Sequence, residues 1–277
     1  MTPPRSYRAE AIVLRRTELG EADRVVTFFT AEYGKLKAVA KGVRKPKSKL
    51  AGLVELFTHS TLQIARGRGL DVLSQGEVIH PFLPLKTDLA RSSCAFYVAE
   101  LVSRFTVEHQ ENVDLFDILL GTMVELCETR KSDLLLRRFE MQLLQCMGYR
   151  PNLYHCTACN AQLKPTTNAF SPSGGGVLCP ACAGADPAAR GISVNSIKVL
   201  RLLQDGDWAT ALRVNIEEHL AGELEHVLRV YVEYLLERRV QSATWMDKVR
   251  SEVRKAVPPD LPQPSQGKGR ADTAAAH

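Results

Sequence analysis

RVVTFFTAEYGKLKAVAK, Arg24–Lys41, decides the fold. Its first seven residues are mostly β-branched or aromatic, and Glu32-Tyr33-Gly34 turns the chain. From Lys35 the residues alternate. Leu36, Ala38 and Ala40 fall on one face, and Lys35, Lys37 and Lys41 on the other. A period of two marks a half-buried strand, here with a basic outer face. Upstream, AIVLRR (Ala11–Arg16) reads as a strand and LGEAD (Leu19–Asp23) as a turn. Downstream, VELFTHSTLQIA (Val54–Ala65) and LDVLSQGEVI (Leu70–Ile79) read as two more strands about the basic turn Arg66-Gly67-Arg68-Gly69. A small open sheet leaves strand edges to protect, and closing it into a barrel removes them.

The expected first domain, residues 1–82, is therefore a five-stranded barrel of the oligonucleotide-binding (OB) type. A five-stranded SH3-like barrel fits the same periodicity. The charge of this region sharpens its reading. The whole chain carries +5, yet residues 1–70 hold 14 Lys and Arg against 6 Asp and Glu. Between Lys35 and Lys49 there are seven cations and no acid, and most lie in KGVRKPKSKLAG (Lys41–Gly52). Gathering them costs like-charge repulsion, which bound phosphates relieve while counterions are released. No basic amphipathic helix accompanies them, so DNA or RNA is favoured over lipid. The expected DNA-binding residues are Lys35, Lys37, Lys41, Arg44, Lys45, Lys47 and Lys49, with Arg66 and Arg68 in the turn. Arg15, Arg16 and Arg24 widen the same surface. Such residues position a phosphate backbone and do not read bases, so sequence preference should be weak. Of the aromatic residues, Phe28, Phe29 and Phe57 are expected in the core and Tyr33 outside, as a possible base platform.

Past Pro84 the period becomes 3.6. Helices are expected over Lys86–Glu108, capped by Asp88, over Val113–Glu128, over Ser132–Tyr149, capped by Ser132 or Asp133, at NSIKVLRLLQ and over Ile216–Val240. This gives a helical domain over residues 83–245, with a clip inserted at 154–184. The clip carries Cys156, Cys159, Cys179 and Cys182 as two C-x2-C pairs separated by nineteen residues. That spacing matches a tetrahedral four-thiolate zinc site. Four thiolates leave no open coordination position, so one structural zinc ion per chain is expected. The loop between the pairs is polar and holds three consecutive glycines, so metal rather than burial should order it. His155 has no ligand role left to fill, and Lys164 is the only cation between Cys156 and Cys182, which argues against phosphate contact by the clip. Cys94, Cys127 and Cys146 stand singly among apolar residues, as buried thiols do. Residues 257–277, rich in Pro, Gly and Ala, are expected to be a disordered tail.

No P-loop pattern is present. Glu18, Glu21 and Asp23 crowd one turn, but no second acidic cluster supports a magnesium nuclease, so no catalytic residues are assigned. The N-terminus lacks the apolar core of a secretory signal, and no stretch is long and apolar enough for a membrane helix. A cytoplasmic protein is expected. A nucleic-acid-binding regulator, a metal-dependent nuclease and a scaffold remain as alternatives.

LRRTELGEADRVVTFFTAEYGKLKAVAKGVRKPKSKLAG with ELFTHSTLQIARGRGL resembles the barrel of the bacterial DNA repair proteins of the RecO family. RRFEMQLLQCMGYRPNLYHCTACN and the later CPAC resemble the helical domain of that family with its four-cysteine clip. The resemblance spans roughly residues 8–240 and implies a non-enzymatic recombination mediator. Such a protein binds single- and double-stranded DNA, anneals complementary strands and works with RecR. It helps load the RecA recombinase onto DNA coated by single-strand-binding protein, whose C-terminal tail it contacts, and it is associated with the nucleoid during repair. Annealing needs two backbones neutralised and no bond chemistry, which suits the cations above. A groove between helices could hold the tail, with Arg130, Lys131, Arg137 and Arg138 as cations for its carboxylate.

Overall fold

A computed structural model describes residues 5–129, 131–206 and 208–256. The expected C-terminal tail, 257–277, and Arg130 lie outside the described residues. The chain begins with β1 (Ser6–Leu19), β2 (Asp23–Thr30), β3 (Gly34–Ala40), β4 (His59–Ala65) and β5 (Asp71–His80). They close into a barrel in the order β1-β2-β3-β5-β4, with β4 returning to β1. Four of the pairings are antiparallel, and β3–β5 is parallel, through Ala38–Asp71 and Val39–Val72. A simple meander has no parallel pair. This one arises because residues 41–58 cross one end of the barrel before β4, as in the OB-type Greek key.

The alternation read from the sequence fills the barrel. Tyr7, Ala9, Ala11 and Val13 of β1, Val26 and Phe28 of β2, and Leu36, Ala38 and Ala40 of β3 share one interior with Leu62, Ile64 and Leu73. Two expectations change. The first strand starts five residues earlier than expected, at Ser6. Val54–Thr58 is not strand: a 3-10 turn covers Gly52–Val54, and Phe57 takes a left-handed φ of 65° while buried. A bulky residue adopts that conformation only where its surroundings hold it there.

The helical region follows as α1 (Pro84–Thr87), α2 (Leu89–Phe105), α3 (Val113–Glu128) and α4 (Ser132–Cys146). A three-stranded sheet of β6 (Asn168–Ser171), β7 (Gly176–Leu178) and β8 (Arg190–Ile192) comes next. The chain then forms α5 (Val194–Asp205), α6 (Trp208–Arg213), α7 (Glu218–Leu236) and α8 (Gln241–Ala256). Asp88 caps α2 as expected, accepting from the Arg91 N–H at 3.0 Å. Neither Ser132 nor Asp133 caps α4. Lys131 holds that position with no side-chain cap, and Asp133 instead pairs with Arg250 of α8. Among the described residues no helix is long and apolar enough to cross a membrane.

The barrel does not stand apart from the helices. Ile12, Leu14 and Phe29 point out of it and join the helical core, together with Phe57 and Phe82. Ile12 and Leu14, two residues apart on β1, share this outer side by regular alternation, and the bulge between Val13 and Arg15 shifts the register only from Arg15 onward. Phe29 meets Phe116 of α3 (ring centroids 6.4 Å apart), and Phe57 meets Phe96 of α2 edge to face at 5.0 Å. Phe29→Ala is expected to cost about 3–5 kcal/mol, the usual range for emptying a buried aromatic site. Denaturant unfolding of the full chain measures it.

Candidate nucleic-acid interface and metal centre

The expected DNA-binding residues separate into two groups by what they touch. In the first group the charges are engaged. Lys35 Nζ donates to the carbonyls of Ser103 and Thr106 at 2.5 and 2.6 Å, satisfying the exposed end of α2. Burial pulls its pKa down, against the nearby Glu108. Lys37 pairs with Glu108 at 2.5 Å, and Lys37 is the main cause of the lowered Glu108 pKa. Arg16 pairs with Glu55 at 2.6 Å, and Arg44 with Glu18 at 3.4 Å. Arg24 is half-buried on β2, opposite Glu18 in register.

The second group is exposed and, among the described residues, makes no ion pair: Arg15, Lys41, Lys45, Lys47, Lys49, Arg66 and Arg68. Four of these sit on the segment after β3. It is a run of turns and not a slack loop. Lys45 N donates to Gly42 O at 3.1 Å and Ser48 N to Lys45 O at 3.0 Å. The segment is tied to the β1–β2 turn, since Gly42 N donates to Asp23 Oδ1 at 2.7 Å and Arg44 N to Ala22 O at 3.0 Å. Asp23 therefore anchors this segment. Buried Val43, Leu53 and Val54 plug the barrel end beneath.

Arg66 and Arg68 lie where the β4–β5 turn meets the start of β1. The turn is held to Asp71, which opens β5 beside Ala38 near the end of β3. Arg66 sits over the ring of Tyr7 at 5.1 Å, and Tyr7 meets Tyr33 at 4.6 Å. Tyr33 is thus half-buried and not free, while Phe28, Phe29 and Phe57 are core as expected. Exposed Arg5 and Arg8 belong to this end as well. They were not singled out because each stands alone between apolar or polar residues. Arg66 N donating to Arg5 O at 2.9 Å shows why they join the turn.

The four clip cysteines converge, with all Sγ atoms within 4.8 Å of one another and Cys159 and Cys179 at 3.9 Å. A tetrahedral four-thiolate site with bonds of about 2.3 Å needs sulfurs roughly 3.8 Å apart, so the set fits an ion. Asn160 turns the first knuckle with φ 59°, and Cys179 N donates to Cys156 Sγ at 3.3 Å. Burial opposes ionisation of Cys156, but N–H groups of Cys179, Cys159 and Ala158 outweigh it and bring the thiol down to about 6. Hydrogen bonds with Cys179 and Cys159 chiefly hold Cys182 up at about 12. His155 stands outside the cluster.

Residues between the pairs are less polar in place than expected. β6 and β7 form a hairpin that buries Phe170, Val177 and Leu178, and Phe170 meets Tyr231 of α7 edge to face at 5.4 Å. Two of the three glycines are required by geometry. Gly175 takes φ +62°, and a Cβ on Gly176 would lie 2.4 Å from Asn152 O. Of the single cysteines, Cys94 is buried, while Cys127 and Cys146 are half-buried. Burial raises the pKa of all three.

Of the cations considered for a partner's tail, Arg137 is buried and bonded to Glu140 at 2.7 Å, and Arg138 pairs with Glu125 at 3.3 Å. Lys131 Nζ reaches Val214 O at 3.4 Å.

The comparisons with known proteins agree with this architecture. Family models for "Recombination protein O N terminal" and "Recombination protein O C terminal" match residues 1–82 and 86–244. The chain belongs to the RecO family. Relatives named DNA repair protein RecO include those of Roseiflexus sp. (strain RS-1), 45% identical over 92% of this chain and 89% of the relative, and Dehalococcoides mccartyi (strain 195), 39% identical over 90% and 98%. The protein of Symbiobacterium thermophilum is 36% identical over 88% and 98%.

The two lysines of β3 should now behave differently. Lys35→Ala leaves helix-end carbonyls without a charged donor and is expected to cost about 1.5–3 kcal/mol. Lys37→Ala removes an exposed pair and should cost under about 1 kcal/mol. Denaturant unfolding separates them. For the clip, Cys156→Ser should abolish stoichiometric metal binding, read by metal analysis of the purified chain, and lower its melting temperature.

Proposed function

We propose that this chain is a non-enzymatic recombination mediator that binds single- and double-stranded DNA through its barrel and anneals complementary strands. In this reading it works with RecR and helps load the RecA recombinase onto DNA coated by single-strand-binding protein, as a cytoplasmic protein that joins the nucleoid during repair. The observation that carries the DNA part is the anchored, acid-free segment bearing Lys41, Lys45, Lys47 and Lys49, all exposed. Cations held on a tied segment neutralise phosphates without first losing chain entropy. Arg15 extends this contact along β1. Arg66 and Arg68 form a second one at the β4–β5 turn. Arg16, Arg24, Lys35, Lys37 and Arg44 contribute through the field they add and by holding the surface in place. The N-terminal binding domain is taken as residues 1–82, and the helical domain as 83–245 with the clip at 154–184. The ion in the clip is one structural zinc per chain, because four thiolates select it and close its coordination.

The same proposal extends to the tail of single-strand-binding protein. A groove of about 220 Å³ between the start of α4 and α7 is lined by Leu134, Ile216 and Leu224 with Lys131 and Arg137. Among the described residues Arg137 Nε and Nη1 make no hydrogen bond, although Nη1 lies 3.9 Å from Glu225 Oε2 as an ion pair. Apolar walls beside a desolvated guanidinium suit a short tail ending in a carboxylate, although Asp133 and Glu225 also line the groove.

Annealing of complementary strands coated with single-strand-binding protein tests the function. Lys45/Lys47/Lys49→Ala should slow annealing and lower the slope of log affinity against log salt by about 2 on single strands. An unchanged slope would remove this segment from the interface. DNA cleavage in magnesium that disappears in Glu21→Ala would replace the mediator by a nuclease, and sharp sequence dependence would replace it by a regulator.

A further inference from the structure

A groove of about 720 Å³ runs between the outer side of β1 and the helix pair α2–α8. Its floor is apolar, made by Leu14 and Leu56 from the barrel and Phe96 and Trp245 from the helices. Phe96 and Trp245 are both partly buried and meet edge to face, 5.4 Å apart at 89°. Phe96 also meets Phe57 edge to face, so among the described residues no ring lies parallel to either one. Arg15, Arg16 and Arg104 stand at the rim. Among the described residues the one acid lining the groove is Glu100, which pairs with Arg104 at 2.6 Å and accepts from the N–H groups of Gln241 and Ser242 at the start of α8. Arg104 is thereby paired, and Arg16 pairs with Glu55, so Arg15 gives the groove its one uncompensated charge among the described residues.

We propose that this groove receives unpaired bases of a single DNA strand, which stack on Trp245 and Phe96 while Arg15 holds the adjoining phosphate. The inference rests on the DNA-binding reading above and names where that DNA leaves the barrel. Three features select this occupant. Arg15 is exposed and has no ion pair among the described residues. From Arg15, the exposed residues Thr17 to Leu19 of β1 lead, over roughly 13 Å, to the β1–β2 turn. The lysine-bearing segment is tied to that turn through Gly42 and Arg44. Positive grooves that combine a tracked backbone with open aromatic rings are the common means of holding single strands. A peptide strand fits less well, because backbone groups here are already used. Lys35 takes the Ser103 carbonyl, and Glu100 takes the first N–H groups of α8.

The geometry gives the groove a role in annealing. Bases held on rings are displayed singly, whereas a duplex keeps its bases stacked inside and can reach only the rim arginines. The groove therefore separates single-strand from duplex affinity, which the lysine segment by itself does not.

The test uses the full chain with Trp208→Phe, which leaves Trp245 as its one tryptophan. A thymidine oligonucleotide should quench Trp245 emission saturably, and an abasic oligomer of equal length should not. In the same background, Trp245→Ala should weaken single-strand binding roughly tenfold, read by anisotropy of a labelled oligonucleotide, with duplex binding unchanged. Because Trp245→Ala also loosens α2 against α8, exposed Arg15→Ala serves as the second variant and should weaken single-strand binding in the same direction. Oligonucleotide binding with Trp245 emission unmoved and both variants at full affinity would overturn the groove and leave the DNA function standing. Absence of any DNA binding would overturn the function itself. Quenching by a short acidic peptide with an apolar C-terminal residue, with none by thymidine oligomers, would assign the groove to a protein tail and overturn the proposal.

Discussion

The burial of the barrel's outer face against the helices sets the terms for everything else in this molecule. A free-standing barrel needs only its interior filled, and the alternating residues of β1, β2 and β3 do that. Here Ile12, Leu14 and Phe29 face outward and are just as buried, and Phe57 accepts a left-handed backbone to reach the same core. Large apolar side chains on both faces of a strand commit the sheet to a second layer. Regular alternation carries Ile12 and Leu14 to that layer together, and the bulge that follows leaves Arg15 exposed beside them.

That layer then decides which charges remain for DNA. On β3, Lys35 and Lys37 form a basic face by periodicity, but α2 ends over them. Lys35 becomes a helix-end donor and Lys37 an ion-pair partner of Glu108. The strand face that many OB-type barrels offer to oligonucleotides is thus partly occupied from within the chain. In the proposed reading, DNA contact falls to the barrel ends, where chain segments emerge from under the helices. The segment after β3 suits this role because buried Val43 and the bonds to Asp23 and Ala22 fix it at its start. Its cations repel one another in a set arrangement, which is the condition under which a bound phosphate gives most relief.

The same reasoning explains what could be read from the residues alone. Period-two alternation in Arg24–Lys41 revealed the barrel because interior filling is a local property. The metal centre was legible because ligand spacing is local too. The parallel β3–β5 pair and the change of role at Lys35 were not, because both depend on where distant segments come to rest. Nothing in KLKAVAK distinguishes a lysine that meets phosphate from one that meets the end of a helix. The helix Gln241–Ala256 escaped notice for a related reason. Its apolar positions are few, and Trp245, Met246 and Val249 gain meaning only when α2 is beside them. Likewise Asp133 has the sequence of a helix cap, yet the guanidinium of Arg250 from that same unread helix claims it.

The clip shows how an ion and a core can share one task. Cysteine spacing suggested a polar loop held by metal alone, but Phe170, Val177 and Leu178 carry the intervening hairpin into the helical core. Gly176 permits the close approach of Asn152 that locks it, and Tyr231 of α7 lies across Phe170 while its hydroxyl donates to Tyr149 O at 3.0 Å. A three-residue strand cannot fix its own register, and three buried side chains cannot order a segment of this length against its conformational entropy. Four thiolates on one ion would close the segment at its ends, while burial fixes its middle. In the proposed reading, a metal in the clip acts on DNA binding through the helical body against which the barrel packs. Its loss should weaken the fold of the helical half while leaving the charges at Lys45, Lys47 and Lys49 where they are.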